Sequence, residues 1–239
     1  MIMILTIAPD KGKQEINLYL QDIPVINQFV QRETEMRELE RYFFEKHTVT
    51  PQRRIVIVHG PHGIGKTQLA VEFAREHRRR FSSIIWLDGS SEVSLKQSFA
   101  DMMQKLPQDD LTANGVEMLK HPDIDVEVAV RECLLWLSLP LNHRWLLIMD
   151  GVDSKFYDTK DYHPYDVSNY FPHADQGSIL ITSRLASQQR HGLGLMVETM
   201  NAERSRAILE NNAGGVVNGE LTVAYLKARI GKLTHLNRC

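Results

Sequence analysis

Arg54-Ile55-Val56-Ile57-Val58-His59-Gly60-Pro61-His62-Gly63-Ile64-Gly65-Lys66-Thr67-Gln68-Leu69-Ala70 carries three patterns end to end. A β-branched apolar run comes first, then Gly60-x-x-x-x-Gly65-Lys66-Thr67, then Leu69, Ala70, Phe73 and Ala74 at helical spacing. The run predicts a buried parallel strand. Glycines let backbone N–H groups turn inward as an anion nest, and a helix next in the chain aims its positive end at the same point. In that setting the Lys66 ammonium reaches β- and γ-phosphates and the Thr67 hydroxyl ligates Mg²⁺. A glycine-rich turn can match this pattern and bind nothing. The strand before it and the helix after it select the phosphate-binding reading.

Downstream, the chain alternates strands and helices. Ile84-Ile85-Trp86-Leu87-Asp88 predicts a second strand. Gly89-Ser90-Ser91-Glu92 supplies a turn and N-cap for a helix marked by Val93, Leu95, Phe99 and Met102. From Leu106 to Asp125 the period fails around Pro107, Gly115 and Pro122, which predicts a loop or insertion. Val126 to Leu137 is amphipathic, with Val128, Val130, Cys133, Leu134 and Leu137 expected in the core, and Pro140 closes it. Trp145 to Asp150 is a third strand, and its terminal acid suits the water shell of a Mg²⁺ ion. Tyr157 to Pro172 reads as a surface connection with a short helix at most, in which His163 and the nearby His173 are too isolated to hold a metal. Gly177 to Arg184 is a fourth strand ending in polar residues and an arginine, and Leu195 to Glu198 a fifth. Asn201 caps a further helix, and another runs from Leu221 to Ile230.

Upstream, Met36, Leu39, Tyr42 and Phe43 mark an amphipathic helix with an acidic first turn. Met3 to Ile7 is a candidate edge strand. The expected architecture is a three-layer α/β P-loop NTPase with a five-stranded, mainly parallel sheet, followed by a partial helical subdomain. The expected boundaries are an N-terminal segment over 1–26, the nucleotide-binding domain over 27–200 and the helical part over 201–239.

Composition excludes several classes. In 239 residues, 43% hydrophobic content supports a core, and a net charge of −2 provides no overall pull toward nucleic acid or a membrane. The basic run Arg75-Glu76-His77-Arg78-Arg79-Arg80 is read as a solvated helix end matched to the helix dipole. Cys133 and Cys239 make no disulfide framework; Cys133 reads as a reduced core thiol. The apolar start is short and lacks a basic lead-in, and no run is long enough to span a membrane, so the chain is expected to be soluble and cytoplasmic.

Phe29-Val30-Gln31-Arg32-Glu33, Gly60 to Thr67, Ile85-Trp86-Leu87, Leu146 to Asp153 and Ile179 to Arg184, in this order, resemble the NB-ARC nucleotide-binding domain. That domain belongs to the STAND ATPases of apoptotic activators, plant resistance proteins and fungal NOD-like receptors. Trp86 with Ser91-Glu92-Val93-Ser94-Leu95 is most similar to the fungal members, which act in innate immunity and heterokaryon incompatibility. The resemblance implies an ADP/ATP switch with Mg²⁺, self-association or signalling-protein partners, and slow or absent hydrolysis. It implies that Val30 and Arg32 lie on the adenine side and that the loop Gly60, Pro61, His62, Gly63, Ile64, Gly65, Lys66, Thr67 and Gln68 holds the phosphates. Thr67 and Asp150 would hold the metal, and Arg184 would sense the γ-phosphate.

There are departures. Gln31 stands where the family has glycine, and Gly151 where a general base often comes after the strand-end acid. Asp153 is then the nearest carboxylate able to polarise water. Gly231-Lys232-Leu233-Thr234 replaces Gly-Gly-Leu-Pro, so the adenine-packing proline would be Thr234, close to the last residue, Cys239. The expectation is a C-terminally truncated module with weakened nucleotide affinity. The alternatives are a P-loop enzyme, either an AAA-type ATPase or a small-molecule kinase, and a degenerate fragment acting through protein contacts. A kinase would want an arginine-rich lid and an acceptor-binding acid, and neither is apparent. A GTPase lacks support, since no Asn-Lys-x-Asp guanine reader occurs.

Overall fold

Ile55 to Val58, Leu146 to Ile148 and Ile179 to Ile181 are apolar at every position, which suits strands covered on both faces. The computed structural model, which describes residues 32–45, 53–121, 123–154 and 164–198, places all three in the middle of a sheet. Its strands are β1 (Arg54–His59), β2 (Ser83–Asp88), β3 (Trp145–Asp150), β4 (Ser178–Ser183) and β5 (Leu193–Met196). Their order is β2-β3-β4-β1-β5 and every pairing is parallel. The mainly parallel sheet expected from sequence is wholly parallel among the described residues.

Helices cover both faces. On one, α3 (Glu92–Met103) and α5 (Val126–Leu137) pack with Ile55, Ile57, Ile85, Leu87, Leu147, Met149, Ile179 and Ile181 into one buried cluster. On the other, α2 (Lys66–Glu76) meets β4, and α1 (Glu33–Phe44) meets α2 and β1. There the Phe43 and Phe73 rings lie 5.3 Å apart. Met36, Leu39 and Phe43 are the buried stripe of α1, and Glu33 and Glu35 make its first turn acidic, as its spacing predicts. Ser91 caps α3 by accepting from the Ser94 N–H at 3.0 Å. Asp125 caps α5 in the same way. The thiol of buried Cys133 donates to the Phe99 carbonyl at 3.4 Å, and burial pushes its pKa up.

Four sequence expectations need correction. The stretch from Leu106 to Asp125 is not simply a loop: it holds a 3₁₀ turn at Gln108–Asp110 and a helix, α4 (Ala113–Met118). Pattern failed there because α4 is short and is anchored by a polar contact. The buried carboxylate of Glu132 on α5 accepts from the Thr112 N–H at 3.0 Å and its hydroxyl at 2.6 Å. The short helix expected in the connection before β4 is a 3₁₀ turn at Val167–Tyr170, but the connection is not all surface, since Tyr165, Val167, Tyr170 and Phe171 are buried. Val128, expected in the core, is half-buried and outside the main cluster, because the buried face of α5 runs through Ala129, Val130, Cys133, Trp136 and Leu137. The fifth strand begins at Leu193, earlier than expected, where it aligns with Val56 of β1. The basic run ends α2 at Glu76 and continues as an exposed 3₁₀ turn, Arg78–Arg80.

Residues 33–197 belong to one compact unit. Arg32 and Glu198 belong to a second, in which the Arg32 guanidinium donates to the Glu198 carbonyl at 3.1 Å. Met3 to Ile7, Val30, Tyr157, His163 and the segment from Asn201 to Cys239, including Leu221 to Ile230 and Thr234, lie outside the described residues. No helix among the described residues is long and apolar enough to cross a membrane.

Candidate functional site

The loop between β1 and α2 turns at glycines. Gly60, Gly63 and Gly65 take φ of +152°, +74° and +97°, the half of conformational space that side chains disfavour. Gly60 is also closely packed: a Cβ there would lie 2.6 Å from the Val197 carbonyl oxygen. That carbonyl is held in place because the Val197 N–H donates to the His59 carbonyl at 2.8 Å. Gly65 is the N-cap of α2 and provides no side-chain cap, so the helix N-terminus opens onto the loop. Pro61, His62, Gly63 and Gln68 are exposed, and Ile64, Gly65, Lys66 and Thr67 are half-buried.

Lys66 folds back across this loop. Its ammonium donates to the carbonyls of Gly60 at 3.0 Å and Pro61 at 2.8 Å. Partial burial lowers its pKa, opposed by the nearby carboxylates of Asp153 and Asp150, while the Arg184 charge adds to the lowering. Lys66, Asp150, Asp153 and Arg184 therefore share one electrostatic neighbourhood.

Thr67, next along α2, donates to Asp150 Oδ1 at 2.9 Å, with Oδ2 at 3.2 Å. The same carboxylate accepts from the Thr182 hydroxyl at the end of β4. Burial raises the Asp150 pKa, and the hydrogen bonds from Thr182 and Thr67 oppose the rise. A half-buried carboxylate beside a hydroxyl is a hard-oxygen pair that suits Mg²⁺ completed by phosphate oxygens and water. Among the described residues no group of three or more His, Cys, Asp or Glu converges, so a cage made of protein ligands alone is not what this site provides. The residues present fit a metal that arrives with a polyphosphate.

Strand order explains the arrangement. β4 lies between β1 and β3, so its C-terminal residues fall between the loop and the acid. Thr182 is aligned with Val58 and Ser183 with His59. Sequence reading singled out Arg184, which the structure places just past the end of this strand, and missed Thr182; the signal was the change from Ile181 to polar residues at the strand end. Arg184 does not stand alone. Its backbone N–H donates to Asp153 Oδ1 and its Nε to Oδ2, both at 2.6 Å. Val30 lies outside the described residues, and Arg32 belongs to the second unit.

A sequence profile of the NB-ARC domain matches residues 32–215, well over half of the chain. The chain belongs to the NB-ARC domain family. It is therefore a P-loop nucleotide-binding domain. No curated protein matches it. Among solved structures, this NB-ARC chain is similar to Cdc6p from Pyrobaculum aerophilum at 10% identity, covering 83% of this chain and 53% of that one, with a TM-score of 0.49. It is also similar to the ORC2 protein of Aeropyrum pernix, described as ADPNP–ADP complexes, at 14% identity, covering 85% and 56%, with a TM-score of 0.46. The NB-ARC chain thus spans about half the length of each.

Proposed function

We propose that this chain is an adenine-nucleotide switch of an NLR-like signalling protein, working in the cytoplasm with slow or no hydrolysis of its own. The observation that carries this is the Thr67–Asp150 contact beside Lys66 at the mouth of the loop. It supplies a phosphate-binding cation and a metal-binding oxygen pair at one point. Bound Mg²⁺ would offset phosphate charge there, held by Thr67 and Asp150. Gly60 to Gln68 hold the phosphates, and Val30 and Arg32 are assigned to the adenine side. The residues after Asp150 support slow hydrolysis. Gly151 has no side chain to orient water, and the nearest acid, Asp153, is engaged by Arg184. A ligand that contacts Arg184 only when a γ-phosphate is present has different contacts in two states, as a switch requires. Self-association in the ATP state is the proposed output.

Calorimetric titration of the purified chain with Mg-ADP and Mg-ATP, with Lys66→Ala as control, tests this. The expected result is binding at micromolar or tighter concentrations that the variant loses while remaining folded. Equal affinity in the variant would overturn the P-loop assignment. Turnover above about one per second would point instead to a kinase or motor, since unassisted switches run orders of magnitude slower.

A further inference from the structure

β3 and β4 remain joined beyond their last ladder pair, Met149 with Ile181. The Gly151 N–H donates to Thr182 Oγ1 at 2.9 Å and the Val152 N–H to the Thr182 carbonyl at 2.9 Å. Ser183 Oγ donates to the Val152 carbonyl at 2.6 Å. At the tip of this zipper Asp153 takes both the backbone N–H and the Nε of Arg184. The two partners differ in exposure: the Arg184 side chain is 56% exposed and that of Asp153 22%. The acid is held by the zipper while the guanidinium lies at the surface beside the phosphate loop.

We propose that Asp153 is a clasp for Arg184: it competes with the terminal phosphate of a nucleoside triphosphate for the guanidinium and so sets the ATP-over-ADP preference of the site. This rests on the switch reading above. Both carboxylate oxygens of Asp153 accept from Arg184, so the acid is badly placed to take a proton from water. An ion pair this exposed is weak, roughly a factor of two to five in an equilibrium. A terminal phosphate carries more negative charge than a carboxylate and makes stronger charge-assisted bonds with the whole guanidinium fork. The clasp is therefore firm enough to bias the arginine and weak enough to release it. ADP, which lacks the third phosphate, would leave the pair closed. ATP would draw Arg184 away and load the zipper that joins β3 to β4.

Asp153→Asn tests this with little disturbance. The amide keeps an oxygen for the Arg184 backbone N–H and turns the partner of Nε into a donor, which repels the guanidinium. The expected result is a rise of about two- to fivefold in the ratio of affinities for Mg-bound non-hydrolysable ATP analogue over Mg-ADP. Removing a negative charge near Lys66 also favours the more highly charged ligand through space, so the substitution is repeated on Arg184→Gln. The double-mutant cycle separates the two effects. In that background the clasp predicts no change in ratio. An equal shift in both backgrounds, or no shift in a chain that binds Mg-ADP, overturns the clasp and leaves the switch reading standing. Slower ATP turnover with an unchanged ratio would make Asp153 a water-polarising base, also against the clasp. A folded chain that binds neither nucleotide would remove the switch reading and the clasp with it.

Discussion

Thr67 at the start of α2 hydrogen-bonds to Asp150 at the end of β3 at 2.9 Å, although β4 separates β3 from the strand that leads into α2. The contact reaches over the end of an intervening strand. It closes because Asp150 is also held from that strand by the Thr182 hydroxyl. A hydroxyl from the phosphate loop and an acid from a distant strand thus meet at one point, and each has a testable share in it.

Thr67→Val keeps the branched shape and removes the hydroxyl. Mg²⁺-dependent nucleotide affinity should fall about tenfold or more, by analogy with the loss of groups around other metal sites. Binding of ADP in the presence of a chelator should change little. Titrations with and without Mg²⁺ separate the two, and equal losses in both would show that the hydroxyl serves the fold and not the metal.

Asp150→Asn should separate stability from function. Burial raises the pKa of this acid, so between its unfolded and folded values the native state binds more protons than the unfolded one. The slope of stability with pH is then negative: the Asp150 contribution is complete below the ordinary carboxylate range and is lost as pH rises through the folded value. At pH values above the folded one the metal-free protein carries a poorly solvated charge, and there the amide should be as stable as the wild type or more so. The thermal shift produced by Mg-nucleotide should disappear. Melting curves from pH 5 to 8 check both effects; a marked loss of metal-free stability in Asp150→Asn would show that the bonds from Thr67 and Thr182 require a full charge.

Gly177 takes φ +81°, and a Cβ there would lie 2.2 Å from the Trp145 ring. That ring is fully buried and its indole N–H donates to the Leu137 carbonyl at 2.9 Å, so it has little room to move. Gly177→Ala should cost about 2 kcal/mol or more, through an unfavourable backbone conformation together with overpacking. Urea unfolding followed by tryptophan fluorescence measures it. A loss below about 0.5 kcal/mol would mean that the turn into β4 relaxes freely.

Glu132→Ala removes the carboxylate that ties Thr112, and with it α4, to α5. A cost of about 1–3 kcal/mol is expected from the lost hydrogen bonds and the space left behind. Nucleotide affinity should be unchanged, because the contact lies on the α3/α5 face and not in the phosphate loop. A parallel loss of affinity and stability would show that this face is coupled to the site.

Legibility tracked the range of the interactions. β1, β3 and β4 could be read from apolar runs, and α1 and α5 from helical spacing, because strand and helix periods are written in neighbouring residues. The α4 segment escaped notice because its anchor, Glu132, is a polar residue in an apolar stripe and its partner lies far away in sequence. The burial of Tyr165, Val167, Tyr170 and Phe171 was missed for a related reason: a polar, irregular stretch shows no period, yet these side chains join the core and Tyr170 stacks on Phe99 of α3.

By itself the sequence determined the phosphate loop and the acid at the end of β3, since glycine spacing, Lys66, Thr67 and the Asp150 terminus are local patterns with local consequences. Only the tertiary structure decided that β4 would lie between β1 and β3. Strand order depends on which long connections close over which faces, and no single segment encodes that. From this order came the partnership of Thr182 with Asp150. The pairing of Asp153 with Arg184 came from it too, and it turned a candidate base into the counter-ion of a candidate sensor.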